Sequence, residues 1–553
     1  MEQHFFPDAI IIGHGLAGLV AAFEMTKKSK TVLILDQEGE TNLGGQAFWS
    51  LGGLFLVNSP EQRRMGIKDS FELAWQDWIG TAGFDRKEDY YPREWAKAYV
   101  KFATEEKYQY VKEAGVRFFP IVGWAERGDG MANGHGNSVP RFHVSWGTGT
   151  GIVKAFVEKV KVAQKKGLVQ FGFRHRVTGF IKENNKVIGI MGDILDADEK
   201  LRGEKTNRKV IDQFQYFANN IVIASGGIGA NHQLIQQNWP ERLGAPPQTM
   251  VTGVPDYVDG NLINIAEKIG VHFINKDRMW HYTEGLQNWN PIWSNHGIRI
   301  LPGPSSIWLD AKGKRLPAPF LPGFDTLGTL EYIMKSGYDY SWFILTQKII
   351  KKEFALSGSE QNPDITNRDY KLLLKRVFGK KASEPIEKFK SDGKDFIVSD
   401  NLKDLVDKMN ILFGENLLNY EYIHQQILAR DRELDNPFSK DAQINYIRST
   451  RKYLGDKLVR TAKLHKILDP KNGPLIAVKL HILTRKTLGG IETDLNGRVF
   501  DTEGNLIEGL FAAGEASGFG GGGMHGYRAL EGTFLGGCIF SGKKAGEFIA
   551  NNY

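Results

Sequence analysis

"DAIIIGHGLAGLVAAFEMTKKSKTVLILD", residues 8–36, decides the fold. "DAIIIG" reads as a short buried strand, "LAGLVAAFEMTKK" as a helix with apolar positions at helical spacing, and "TVLILD" as the next strand. The turn between the first strand and the helix is Gly13-x-Gly15-x-x-Gly18. Gly13 permits the tight bend, Gly15 lets a pyrophosphate approach the backbone, and Gly18 lets helix and strand pack closely, with the helix N-terminus facing the phosphates. Asp36 follows at the end of the second strand, where a carboxylate accepts hydrogen bonds from a ribose diol. A lone GxGxxG is weak, but this one has its strand, helix and acid in place. The unit binds a dinucleotide, and by itself leaves FAD and NAD open.

Composition limits the rest. With 553 residues, 41% of them hydrophobic and 24% charged, the chain can bury a large core and divides into two to four compact units. The single cysteine, Cys538, excludes an internal disulfide, a CxxC metal site and a covalently held haem, and no metal site is expected. The start shows no leader pattern, and no run of about 18 uncharged apolar residues occurs, so a reducing cytoplasm and no transmembrane segment are expected. The net charge of +7 comes from lysines spread along the chain. That pattern fits a solvated basic surface, not a nucleic-acid partner.

Two further segments choose between the cofactors. "NNIVIASGGIG" (219–229) is a second strand running into glycines, and "IEGLFAAGEASGFGGGG" (507–523) is a third. An N-terminal fingerprint, an ASGG strand and a C-terminal AAGE return, in that order, resemble the FAD-dependent family that includes fumarate reductase, the succinate dehydrogenase flavoprotein and 3-ketosteroid 1-dehydrogenase. The resemblance implies an α/β fold: a discontinuous Rossmann-like FAD-binding domain with an inserted α+β capping or substrate domain. Boundaries are expected at 1–253, 254–477 and 478–553. The insertion holds "GYDYSWFILTQKIIKKEFALSG", "YEYIHQQILARD" and "DAQINYIRSTRKYLG", all with helix-like apolar spacing, and the proline-rich loop "LPAPFLPGFDT".

"LGGQAFWSLGGLF" (43–55) is similar to the family segment that follows the second strand. Together the motifs imply FAD contacts from Gly13, Gly15, Leu16, Ala17, Gly18, Asp36, Gln37, Gly44, Gly45, Gln46, Ser50, Gly52 and Gly53. The later segments add Ala224, Ser225, Gly226, Gly514, Glu515, Gly532, Thr533 and Phe534. The succinate dehydrogenase branch attaches its flavin through a histidine six residues before the second glycine pair, and here that position is Gln46. Only one dinucleotide fingerprint is present, so NAD(P)H is not expected as redox partner, and no residue identifies the electron acceptor.

The family chemistry is hydride transfer between flavin and a carbon of a carbonyl-activated C–C bond, which also needs a proton-transfer residue and a carbonyl-polarising donor. The fumarate reductase branch places a histidine where this chain has Lys486, in "TRKTLGG", and an arginine one position away from Arg528, so fumarate reduction is not expected. The ketosteroid branch aligns better over "YRALEGT" (527–533): Tyr527 matches a tyrosine that helps polarise the 3-keto group, and Glu531 stands at a glycine position. His525 and Arg528 are candidate cations beside Tyr527. His281, in "RMWHYTEG", is similar to the histidine strand of the fumarate reductase branch, and His143, in "VPRFHVSWGTG", is a further candidate. Stretches such as "GHGNSVPRFHVSWGTG" and "GGGMHGYRALEGTFLGG" resemble a bacterial subgroup of FAD-binding dehydrogenases similar to ketosteroid dehydrogenases. The expected substrate is a small apolar, ring-containing compound. Oxidation of an alcohol, amine or organic acid, and flavin binding without turnover, are the alternatives.

Glutamine cannot form the histidyl link to a flavin. Acid or heat denaturation of the purified yellow protein should therefore release intact FAD into the supernatant, and flavin that co-migrates with the denatured chain would contradict this.

Overall fold

A computed structural model describes residues 6–553. The strand Ala9–Ile12 is buried along its whole length and lies in the middle of a nine-stranded sheet. Val32–Asp36 and then Val169–Phe173 pair with it in parallel on one side, and Asn220–Ile223 and then Leu506–Ala512 on the other. Strands covered on both faces read as continuous aliphatic runs, as "AIII", "VLIL" and "NIVI" do. The C-terminal return thus joins the sheet as its own parallel strand. The hairpin His175–Glu183 and Lys186–Leu195, with Val210–Phe217, extends the far edge in antiparallel fashion.

The helix Leu16–Thr26 leaves the first strand at Gly15 and is buried on almost every side, between the sheet and the last helix, Phe534–Asn552. A helix apolar all round needs such a setting. The two helices touch through glycine: a Cβ on Gly542 would stand 2.4 Å from the Ala17 carbonyl oxygen, and one on Gly546 2.6 Å from that of Ala21. Gly18 makes the matching contact downward, where a Cβ would stand 2.2 Å from the Gly13 carbonyl oxygen.

The second layer is an eight-stranded sheet built on the 13-residue strand Leu475–Thr487. Tyr340–Thr346 and Met279–Gln287 flank it antiparallel, and Phe396–Ser399 and Val251–Thr252 also join it. The helices Leu402–Phe413, Tyr420–Arg432 and Ala442–Thr450 belong to the same half of the molecule. The last two match the spacing read from sequence. "YSWFILT" does not: it is a strand buried at every position, and the helix Gln347–Glu353 starts only after Thr346. A short run apolar on all sides carries no period, and aromatic and β-branched residues then favour the strand. The expected boundary at 477/478 falls inside Leu475–Thr487, which is paired within the second sheet, so the return to the first layer begins beyond Thr487.

Gly18→Ala puts a methyl group against the Gly13 carbonyl and forces the helix off the strand. A loss of about 1–3 kcal/mol is expected, read as a lower denaturant midpoint accompanied by loss of bound flavin.

Candidate active site

A long cleft opens where the carboxyl ends of the parallel strands meet the second layer. Its floor is glycine. The turn at Gly13 and Gly15 faces Gly44 and Gly45, with Gly15 and Gly44 paired as an isolated bridge. A Cβ on Gly15 would meet only the Ala224 carbonyl oxygen, at 3.9 Å, so the backbone there is open to a ligand. At one end Asp36 accepts hydrogen bonds from the backbone N–H groups of His14 and Glu38, both at 2.9 Å, and its carboxylate lines the cleft. A helix N-terminus that donates to phosphate and an acid at the end of the next strand that accepts from a ribose are the groups an adenine dinucleotide requires.

Of the residues expected to contact FAD, Gly13, Gly15, Leu16, Ala17, Asp36, Gln37, Gly44, Gly45, Gln46, Ser50, Gly52, Gly53, Ala224, Ser225, Gly226, Gly514, Glu515, Gly532 and Phe534 line the cleft. Gly18 does not, because it faces the Gly13 backbone, nor does Thr533, whose hydroxyl donates to the Leu530 carbonyl at 2.5 Å. Tyr257, Asp259 and Arg176 also line it. They stand outside any glycine motif, so only the folded chain brings them in.

Midway along the cleft, Lys486 Nζ donates to Gln46 Oε1 at 2.6 Å, and Gln46 Nε2 donates to Glu515 Oε2 at 2.5 Å. Glu515 also accepts the Thr487 N–H at 2.9 Å. Burial holds the Lys486 ammonium below its usual range, and Glu515 partly offsets this. Cys538 lines the same stretch, where burial pushes its thiol up to about 12 and leaves it unreactive.

The far end holds a buried trio. Tyr282 Oη donates to Glu531 Oε1 at 3.0 Å, and Arg299 Nη1 reaches Glu531 Oε2 at 3.2 Å. The Arg299 guanidinium lies over the Tyr282 ring, 3.8 Å from its centre, and Glu284 is 3.8 Å from Arg299 Nε. Burial raises the Glu531 carboxyl while the Arg299 charge lowers it, and the net shift is upward. Burial and the Glu531 charge keep Tyr282 a neutral phenol. Burial also pushes Glu284 up to about 7. Arg299, in "HGIRIL", was not singled out in sequence, since one arginine in an apolar strand carries no motif.

The remaining sequence candidates lie elsewhere. The Tyr527 hydroxyl donates to Asp85 at 3.1 Å near the surface, with the Arg278 guanidinium 4.2 Å from its ring centre. Its backbone N–H bonds to the Ala82 carbonyl at 2.8 Å and turns the side chain away from the cleft. Arg528 pairs with Asp325 at 3.3 Å. His525 stacks on Trp78 and lies 2.9 Å from the Thr533 hydroxyl, and burial holds it near 3, as a neutral ring. His281 alternates with Tyr282 along one strand, so it faces away from the cleft. It stacks on Trp239, and burial brings it to about 3. His143 is enclosed between Ser59 and the Arg141 carbonyl and held near 4 by burial. Of the six catalytic candidates, only Lys486 lines the cleft.

Residues 8–535 match the family described as FAD binding domain. The chain is 57% identical over 545 residues to the KsdD-like steroid dehydrogenase of Mycobacterium tuberculosis strain H37Rv, covering 99% of this chain and 96% of that one. It is likewise 57% identical over 528 residues to the KsdD-like steroid dehydrogenase of Mycolicibacterium smegmatis, covering 96% of each. Among solved structures, the 3-ketosteroid delta1-dehydrogenase from Sterolibacterium denitrificans in complex with 1,4-androstadiene-3,17-dione shares the fold with a TM-score of 0.68 at 16% identity, over 99% of this chain and 100% of that one. No helix of the described residues is long and apolar enough to cross a membrane.

Tyr527→Phe removes only a hydroxyl bonded to a partly exposed aspartate. Flavin content and the rate of flavin reduction should stay within about twofold of wild type, as for a surface substitution, and a larger loss of rate would return this residue to the chemistry.

Proposed function

The chain belongs to the FAD binding domain family, and from that premise we propose that it dehydrogenates a carbonyl-activated C–C bond of a steroid-like ketone, with Tyr282 and Glu531 as its proton-transfer pair. The observation that carries this reading is the buried Tyr282–Glu531–Arg299 trio at the end of a flavin-shaped cleft. When a CH–CH unit becomes C=C it loses one hydrogen as a proton and the other as a hydride. FAD, when bound, supplies the hydride acceptor.

The chain's part is the proton. A buried phenolate is costly, and Tyr282 is held neutral by burial and by Glu531. Tyr282 therefore accepts a proton from the carbon next to the carbonyl as it passes its own to Glu531, along the 3.0 Å hydrogen bond already in place. Arg299 favours the ionised form of Glu531 and partly offsets the effect of its burial. Leu51, Phe142, Leu301 and Phe534 give this end apolar walls. Lys486 places a positive charge beside the cleft, where it favours the negative charge of a reduced flavin. The steroid-like substrate rests on the names of the relatives and on this apolar end. No residue of the chain identifies the electron acceptor.

Tyr282→Phe keeps the ring and removes the relay. Flavin reduction by a 3-ketosteroid should slow by roughly 10²–10⁴-fold with flavin content unchanged. In the wild type the rate should rise with pH through the upward-shifted ionisation of Glu531, because only the carboxylate accepts the proton. Glu531→Gln should abolish that limb, and a rate that falls over the same range would reverse the assignment.

A further inference from the structure

Beyond the trio the cleft continues into a second cavity of about 670 Å³. The two share Leu51, Phe142, Arg299 and Leu301, so a molecule seated on the trio extends into it. The walls differ sharply in charge from those of the first cleft. Ten lysines and arginines line the second cavity against a single acid, Asp456. Asp456 is already paired with Arg127, and two of the other cations, Arg299 and Arg376, are held by Glu531 and Asp364.

Lys348, Lys351, Lys352, Arg451, Arg460 and Lys463 have no carboxylate within 4.0 Å among the described residues. Several are held in place by neutral groups. Arg460 donates to the Leu301 carbonyl at 2.8 Å, at the neck between the cavities, and Arg451 donates to the Thr461 carbonyl at 2.7 Å. Lys348 donates to Asn472 at 2.6 Å. Burial and the neighbouring charges of Arg451 and Lys351 push the Lys352 ammonium below its usual range. Like charges gathered in a concave, partly apolar space raise its potential and draw an anion, by 10–10³-fold in local concentration in comparable clefts. A neutral diketone leaves that potential unused.

We propose that the substrate carries an oxyanion, a carboxylate or a phosphate ester, joined to its apolar ring system, and that this group binds among Lys348, Lys351, Lys352, Arg451, Arg460 and Lys463 while the ring lies at Tyr282. The proposal rests on the dehydrogenase reading for the position of the ring, and on the cavity for the charge.

The FAD-loaded enzyme is compared on three probes: 3-oxo-4-androstene-17β-carboxylate, its methyl ester, and testosterone 17-phosphate. Binding is read by perturbation of the flavin spectrum and turnover by flavin reduction. The carboxylate or the phosphate should bind at least about tenfold tighter than the ester at low ionic strength, and the advantage should shrink in 0.5 M salt. Whichever anion is preferred identifies the source of the charge. Lys351→Gln combined with Arg451→Gln should remove most of that advantage and leave the ester unchanged. Should the double variant lose its flavin, the wild-type comparison and its salt dependence decide alone. Anion-selective binding without turnover would uphold the cavity and overturn the dehydrogenase reading. Turnover with equal affinity for ester and anions would do the reverse, and failure of all three probes to bind would overturn both.

Discussion

The backbone contact between the first helix and the last holds the rest of the structure in place. Gly542 and Gly546 bring Phe534–Asn552 onto the carbonyls of Ala17 and Ala21 at a distance no side chain would permit. One helix begins at the phosphate-facing turn and the other directly after Glu531 and Gly532. Locking the two together sets the distance from the dinucleotide turn to the acid of the trio, although more than 500 residues separate them in sequence. Their packing also gives the C-terminal return its place beside Asn220–Ile223 in the sheet.

Charge is handled differently at the two ends of the cleft. Around Tyr282 two carboxyl groups share one cation: Glu531 is paired with Arg299, and Glu284 lies 3.8 Å from the same guanidinium. Ion pairs taken out of water bring little net stability, because desolvation cancels most of the attraction. Their value there is positional: the pairing with Arg299 fixes the Glu531 carboxylate against the Tyr282 hydroxyl. In the second cavity most of the cations have no carboxylate within 4.0 Å among the described residues. A folded chain bears that repulsion more easily when a ligand relieves it.

The cofactor half of the molecule was legible in sequence because its chemistry is done by backbone. Glycines at fixed spacing, with a strand before and a helix after, are local signals, and nearly all the residues expected around FAD line the cleft. The proposed catalytic end was not, because side chains from the paired strands Met279–Gln287 and Gly297–Leu301 meet there with one from a loop some 230 residues on. Arg299 is an ordinary letter in "GIRIL", while Glu531 stands out only by replacing a glycine and Tyr282 only as one of several cap aromatics. The resemblance to the family points to Tyr527 and His281, and neither lines the cleft. The Tyr527 backbone is tied to Ala82, and His281 sits one residue out of phase with Tyr282 on an alternating strand. The segment "YSWFILT" misled in the same manner, since a stretch enclosed on all sides has no polar face to reveal its period.

The strand Leu475–Thr487 carries a mechanical consequence. Its first half is the spine of the outer sheet, and its last residues, Arg485 and Lys486, stand on the cleft itself. Bending its first half would break the ladder to Tyr340–Thr346 on one side and to Phe396–Ser399 on the other. The residues on the cleft and the spine of the outer sheet are thus carried by one backbone, so a displacement of either is passed to the other.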